Sequence, residues 1–475
     1  MPKFAANNFY KQMRGIVKII STAILAIYAA TTFAQDQMPR ANDGEAEALS
    51  IVGDRSTLQG NTDSTLYNLE QRLQFYRSKR KLTDDEKAEY STVCNDLAIL
   101  YRKSNRLEIA EQFYETAYHL RKELAEKSDR YRPLWADMLN NYGLYFIDVN
   151  DSDLAIYYLN KALEIRLGNS DSTTAQPSDD ATIADNYDNL AYAYFTAHLT
   201  HDAIANYEKS RTLRRSLVLN TDTPEQYIGD YISTMQNLAA IYKKNHQEID
   251  ALAAMIELRE TLTQIHTASP NEYLDEIASA RHNTALLYGM LNQKAQAADA
   301  MNLAIKDYNV LALQDRDKYL PEVAAALNQA ANYYADLCDY DNAEKYYKKA
   351  LEINTKLYAD HLIDPSEIAG NLNNLGRLYY DQSKMEDAKD CYIKAKEIFE
   401  DDDPTDIKAV LNKAMTNINI VMYYIYEKNS GIENPEYLNC PKYLKETIES
   451  LRAFLYNPSA SYYHDYAQKL LHTIN

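Results

Sequence analysis

Leu372-Asn373-Asn374-Leu375-Gly376-Arg377-Leu378-Tyr379-Tyr380 runs on through Ala388, Cys391-Tyr392 and Ala395 to Phe399. Its apolar and small residues recur at i, i+3, i+4 and i+7 (Leu372, Leu375, Gly376, Tyr379), and again at i, i+4 and i+7 (Ala388, Tyr392, Ala395). That spacing predicts two amphipathic helices. Gly376 and Ala388 are small because closely packed helices leave no room for more, while Tyr379 and Tyr392 fill the space beside them.

The pattern recurs along most of the chain. The small residue of the first helix is Ala98, Gly143, Ala191, Ala239, Ala285, Ala331 and Gly376, at spacings of 45, 48, 48, 46, 46 and 45 residues. Three residues on stands an aromatic each time: Tyr101, Phe146, Tyr194, Tyr242, Tyr288, Tyr334 and Tyr379. Twelve residues after the small one stands an alanine in all seven: Ala110, Ala155, Ala203, Ala251, Ala297, Ala343 and Ala388. A large residue follows (Tyr114, Leu159, Tyr207, Met255, Met301, Tyr347, Tyr392), then a small one, from which Leu258 departs, so the fourth repeat is expected to splay there.

That order of small, aromatic, alanine, large and small residues resembles the tetratricopeptide repeat over roughly Asp84 to Phe399. The usual unit is about 34 residues, so extra residues are expected between each second helix and the next first helix. Asp360 to Ala369 and Lys318 to Ala324 are such stretches, and they look like the long variant of kinesin light chains and many secreted bacterial proteins. The resemblance implies an all-α fold: an α-α superhelix, or solenoid, of about seven to eight helix-turn-helix repeats with capping helices. Its shape would be a curved, right-handed rod with a concave groove.

Length and composition agree. A chain of 475 residues exceeds one hydrophobic core, and 11 glycines with 12 prolines are too few for the many tight turns of a β sandwich or barrel. Residues 1–34 read as a secretory signal, with Lys3, Lys11, Arg14 and Lys18, the apolar run Ile19 to Ala30, and Thr32-Phe33-Ala34 as a cleavage site. Cleavage after Ala34 would give a secreted or periplasmic protein and move the net charge from −19 to −23. An uncleaved anchor helix is the alternative, and Thr22, Tyr28, Thr31 and Thr32 make it a poor one. So acidic a chain repels nucleic acid and anionic lipid, so neither nucleic-acid binding nor direct membrane binding after signal removal is expected.

Residues 35–63 read as a flexible leader, and 64–82, with Leu66, Leu69, Leu73 and Tyr76 in one stripe, as an N-terminal capping helix. Thr83-Asp84-Asp85-Glu86 is a capping box that opens the seven repeats of 83–403. Residues 404–475 read as a degenerate eighth repeat and a cap. The acidic run Glu400 to Asp403 with Pro404 precedes it, helix Ala409 to Tyr426 carries Asn417 or Asn419 near the register, Tyr443 to Leu455 is the second helix, and Ser459 to Leu470 caps the end. Cys94, Cys338, Cys391 and Cys440 form no CxxC pair and read as buried free thiols acting as small apolar residues, with a bridge from Cys338 to Cys391 as the alternative.

Catalytic and metal signatures do not emerge. There is no HExxH, Gly-rich phosphate loop, GxSxG or CxxC, and no cofactor or metal is expected. His198 and His201 straddle a turn and read as exposed turn residues. What the repeats do present is a row of amides. Two residues before the small position stand Asp96, Asn141, Asn189, Asn237, Asn283, Gln329 and Asn374; one earlier stand Asn95, Asn140, Asp188, Gln236, His282, Asn328 and Asn373. In the family resembled, this place faces the groove, and asparagines there pair with the backbone of an extended peptide. Alternatively, each amide bridges to the next helix and holds the pitch.

One turn on, Tyr192 and Phe195, Lys243 and Lys244, and Arg377 and Tyr380 are expected to line the same groove and set specificity, or else to fill a tight superhelix. A clamp for a C-terminal carboxylate would need lysine and arginine among the amides, so that ligand is not expected. The reading favoured is a non-catalytic scaffold that binds an extended segment of a protein partner. A structural protein using its convex face or ends is the alternative, and an enzyme on this scaffold a remote one.

Overall fold

The computed structural model describes residues 58–169, 177–266, 273–398 and 407–455, and among them the regular structure is helical throughout. They fall into two compact units, an N-terminal one up to Ala254 and a C-terminal one from Met255.

In the N-terminal unit α1 (Leu58–Ser78) packs on the first of a series of helix pairs: α2 (Asp84–Lys103) with α3 (Leu107–Lys127), α4 (Arg132–Asp148) with α5 (Ser152–Asn169), and α6 (Pro177–Thr196) with α7 (Thr200–Asn220), followed by α8 (Ile228–Lys244) and the start of α9 (Glu248–His266). Each second helix packs on the next first helix, and α2 touches α4 as α4 touches α6. First helices therefore form one layer and second helices another. The C-terminal unit repeats the arrangement with α10 (Leu274–Met290) and α11 (Lys294–Ala312), α12 (Arg316–Asp336) and α13 (Tyr340–Ala359), α14 (Pro365–Asp381) and α15 (Met385–Ile398), and an eighth pair, α16 (Ile407–Asn429) and α17 (Cys440–Leu455).

The sequence columns explain the pairing. A Cβ on Gly143 would stand 2.6 Å from Cγ of Leu159, and one on Gly376 2.7 Å from Cε1 of Tyr392, so the two helices of each hairpin touch at that point. The aromatic three residues on then stacks on the second helix: Tyr101 on Phe113 with ring centroids 5.7 Å apart, and Phe146 on Tyr158 at 5.3 Å. The alanines of the twelve-residue column are wholly buried. Leu258 is buried as well.

The first seven hairpins turn the same way. Asn105, Asn150, His198, His246, Asn292, Cys338 and Ser383, each seven residues past the small position, have φ between 57° and 62°. The following N–H reaches back to the carbonyl of the aromatic, as Arg106 does to Tyr101 (2.8 Å) and Lys384 to Tyr379 (2.8 Å). This is the Schellman closure of a helix C-terminus, with the left-handed residue just past its end. His198 and His201 are exposed at such a turn. At α2, Thr83 Oγ1 accepts the Glu86 N–H (3.2 Å) while Glu86 Oε2 accepts the Thr83 N–H (2.9 Å), completing the capping box.

Three expectations change. The supposed insertions are mostly helix: Lys318 to Ala324 lies inside α12, Pro321 included, and α14 starts at Pro365, so the long period lengthens helices more than loops. Val323, Ala324 and Ala369 are buried, which rewards that extension. Helix α1 starts at Leu58, six residues before the expected cap, because an established helix adds a hydrogen bond per residue without needing an apolar stripe. All four cysteines are free as expected, but Cys338, expected to be buried, is exposed, because it takes the left-handed position of the hairpin turn. The signal (1–34), the leader up to residue 57, Phe399, the acidic break and the cap at 459–470 lie outside the described residues.

Candidate protein-interaction face

The amide row runs along the layer of first helices. In the N-terminal unit Asn141 donates from Nδ2 to Oδ1 of Asn95 (3.1 Å), and Asn189 does the same to Asn140 (3.1 Å). In the C-terminal unit Asn374 donates to Asn328 (3.2 Å) and Asn419 to Asn373 (3.4 Å), which fixes Asn419 as the eighth member. Each bond joins one first helix to the next. Asn140, Asn189, Asn237, Asn283, Asn328 and Asn373 are buried, whereas Asn141 and Asn374 are half-buried. An amide has two donors and two lone pairs, so after its rung bond the half-buried pair keeps hydrogen-bonding capacity toward solvent.

The side chains one turn on are more accessible. Tyr192, Phe195, Lys243, Arg377 and Tyr380 are half-buried and Lys244 is exposed. Lys244 Nζ sits 4.3 Å from the centre of the Phe195 ring, a cation–π contact between α6 and α8. Burial pushes the Lys243 amine down to about 8, and burial with Asp148 nearby raises the Tyr192 phenol. In the C-terminal unit Arg377 Nε lies 3.8 Å from Asp381, a loose exposed pair, and Tyr380 meets Tyr426 edge to face at 6.3 Å. Phe195, Lys244 and Tyr192 are thus brought onto one face of the N-terminal unit, and Arg377, Tyr380 and Asn374 onto one face of the C-terminal unit.

A second column, twenty-three residues after the small position, lies on the second helices and is polar in all but one of these repeats: Arg121, Arg166, Arg214, Leu262, Tyr308 and Asn354. Arg121 donates from Nε to Ser91 (3.1 Å) on its own first helix and from Nη1 to the Leu134 carbonyl (2.9 Å) on the next. Arg166 meets Asp137 (2.9 Å) and the Thr182 carbonyl (2.6 Å) in the same way. Arg214 is fully buried and meets Asp188 of α6 (2.9 Å) and Asp230 of α8 (3.2 Å). Asn354 donates to Asn371 (2.6 Å), which donates to Asn328 (2.9 Å). The three arginines, and Asn354 through Asn371, tie a second helix to the first helices on both sides. Sequence reading passes over them because isolated arginines in a highly charged chain look like a solvated face; their recurrence at one register in the first three repeats is the signal.

Models of the tetratricopeptide repeat match residues 91–129, 136–169 and 322–401. The chain carries tetratricopeptide repeats in these segments. Their period of 45 to 48 residues is that of the long-repeat type. No curated protein matches the chain. Among solved structures it is similar to BtubC from P. vanneervenii, at 20% identity over 51% of this chain and 89% of that one, with a TM-score of 0.37. It is also similar to a tetratricopeptide repeat protein from Parabacteroides merdae, at 13% identity over 71% and 98% with a TM-score of 0.39. A putative kinesin light chain from Podosopora anserina, with nearly identical TPR-like repeats, matches at 14% identity over 48% and 98%, with a TM-score of 0.37. Tetratricopeptide repeat proteins are in general protein-interaction scaffolds and typically not enzymes. Among the described residues no helix of this chain is long and apolar enough to cross a membrane, and no cluster of His, Cys, Asp or Glu is placed to hold a metal ion.

Proposed function

We propose that this protein is a non-catalytic scaffold that binds an extended segment of a protein partner along the layer of its first helices. The observation that carries the reading is the set of partly accessible aromatic and cationic side chains there, Tyr192, Phe195, Lys243 and Lys244 in the N-terminal unit and Arg377 and Tyr380 in the C-terminal unit. Aromatic anchors beside a few cations are what hot spots are made of. The amides supply a different part: the bonds of Asn141 to Asn95, Asn189 to Asn140, Asn374 to Asn328 and Asn419 to Asn373 hold neighbouring first helices in register, and the half-buried Asn141, Gln236 and Asn374 keep hydrogen-bonding capacity outward. That bonding also favours, as a second reading, an assembly protein that uses its other faces with the amides internal. Export through the N-terminal signal belongs to the proposal, and the mature N-terminus of protein recovered from the cell envelope tests it.

The groove is tested with the full chain as bait on an envelope extract. Proteins retained by the wild type and by Tyr157→Ala on the exposed side of α5 should be lost from the Phe195→Ala, Lys244→Ala double variant. Equal retention by all three baits removes the first-helix face from the function. The triple variant Asn189→Ala, Asn237→Ala, Asn283→Ala should melt several degrees lower, because it leaves the buried Asn140 without its Asn189 partner and removes two further buried amides.

A further inference from the structure

At the third repeat the ladder changes its chemistry. Where neighbouring repeats place Asn140 and Asn95, α6 places Asp188, with Asp185 one turn before it. Facing these from α7 are Arg214, Ser210 and the wholly buried Tyr207, and from α8 Asp230 and Thr234. On the other side, the charge of Arg166 from α5 is taken up by Asp137 and the Thr182 carbonyl.

Three carboxylates therefore share one guanidinium. Asp188 is the best served, accepting Nε of Arg214 (2.9 Å) and the Thr234 hydroxyl (2.7 Å). Asp230 sits at the rim with nearly half its side chain in water. Asp185 is mostly buried, holds the Nη2 group that Arg214 also gives to Asp188, and faces both other carboxylates. Excess negative charge enclosed in a protein joint costs free energy, and a proton from solvent removes it without any rearrangement.

We propose that this junction of α6, α7 and α8 is a pH-responsive clamp in which mild acid protonates Asp185 and tightens α7 against its two neighbours. The buried cluster supplies the mechanism. Burial, opposed by Arg214 and reinforced by Asp230 and Asp188, pushes the Asp185 carboxyl up to about 6. A carboxyl raised above its unfolded value adds stability that is fully present below about 4 and is lost as pH rises through about 6. The clamp is thus looser at neutral pH than at pH 5.

Hydrogen exchange of the full chain reads the junction locally. After correction for the intrinsic pH dependence, amides of α6 to α8 should gain about tenfold in protection between pH 7.5 and pH 5. In Asp185→Asn that gain should vanish, with high protection already at pH 7.5. Asp230→Asn, at the partly exposed rim, removes one like charge and should move the transition to lower pH, a result available even if Asp185→Asn does not fold. A wild-type junction whose protection does not respond to pH, or a response unchanged in both variants, overturns the proposal.

Discussion

The two units solve one packing problem with different chemistry. In the N-terminal unit the junctions between repeats are closed by Arg121, Arg166 and Arg214; in the C-terminal unit the same register holds Tyr308, which packs edge to face on His282, and Asn354, which relays through Asn371 to Asn328. A guanidinium reaches farther and bonds more partners than an amide, but it carries a charge into the junction, which Asp137 meets at Arg166 and Asp185, Asp188 and Asp230 meet at Arg214. An amide relay is neutral and donor follows acceptor along it, so it is indifferent to acid and salt. The lesson is that a tandem repeat conserves the place of a junction while its chemistry drifts.

Removing the charge is the hardest blow. Arg214→Met leaves Asp185 and Asp188 buried without their counter-ion, and the N-terminal unit should lose about 3–5 kcal/mol in denaturant unfolding. A loss below 1 kcal/mol would show that the ionic junction is no more demanding than the neutral one. Next comes His282, 7% exposed in the C-terminal unit, where burial pushes the imidazole down to about 4. A base depressed in the fold contributes stability present above about 6.5 and lost as pH falls through about 4, up to about 3 kcal/mol in all. The sign is opposite to that of Asp185, so acid should loosen the C-terminal unit while it tightens the junction at α7. His282→Asn, which restores the residue type of the neighbouring rungs, should flatten that acid limb of the melting curve. The smallest effect is expected of Asn354→Ala, which breaks the neutral relay and should cost about 1–3 kcal/mol, the same at pH 5 and pH 7.5. A pH-dependent loss there would erase the contrast between the units.

Much of the fold was legible because packing leaves a mark at fixed spacing. Gly143 and Gly376 are small for want of 3 Å of space, and the aromatics three residues on lie against the partner helix, so seven hairpins could be read off three columns. The turns between them were not legible. A left-handed residue is usually glycine, yet here Asn, His, Cys and Ser take that conformation, and no single residue type marks the column. The added length of each repeat, set between the helices by comparison with the usual 34-residue unit, goes largely into the helices: Pro365 starts one and Pro321 sits within another. The amide row was visible as a row, but which way its groups point is a matter of neighbouring helices, and Asn189 facing Asn140 follows from the stacking of repeats and not from either segment alone.

The seven identical turns carry a consequence for how such a chain can change. From the small residue to the alanine is twelve residues in each of the seven hairpins, whereas among the connections the structure describes the link from one hairpin to the next ranges from the three residues 313–315 to the seven residues 221–227. Length is therefore quantised inside a repeat and elastic between repeats. Whole hairpins can be gained, lost or exchanged as cassettes at those connections, and the face they jointly present is lengthened or shortened one rung at a time.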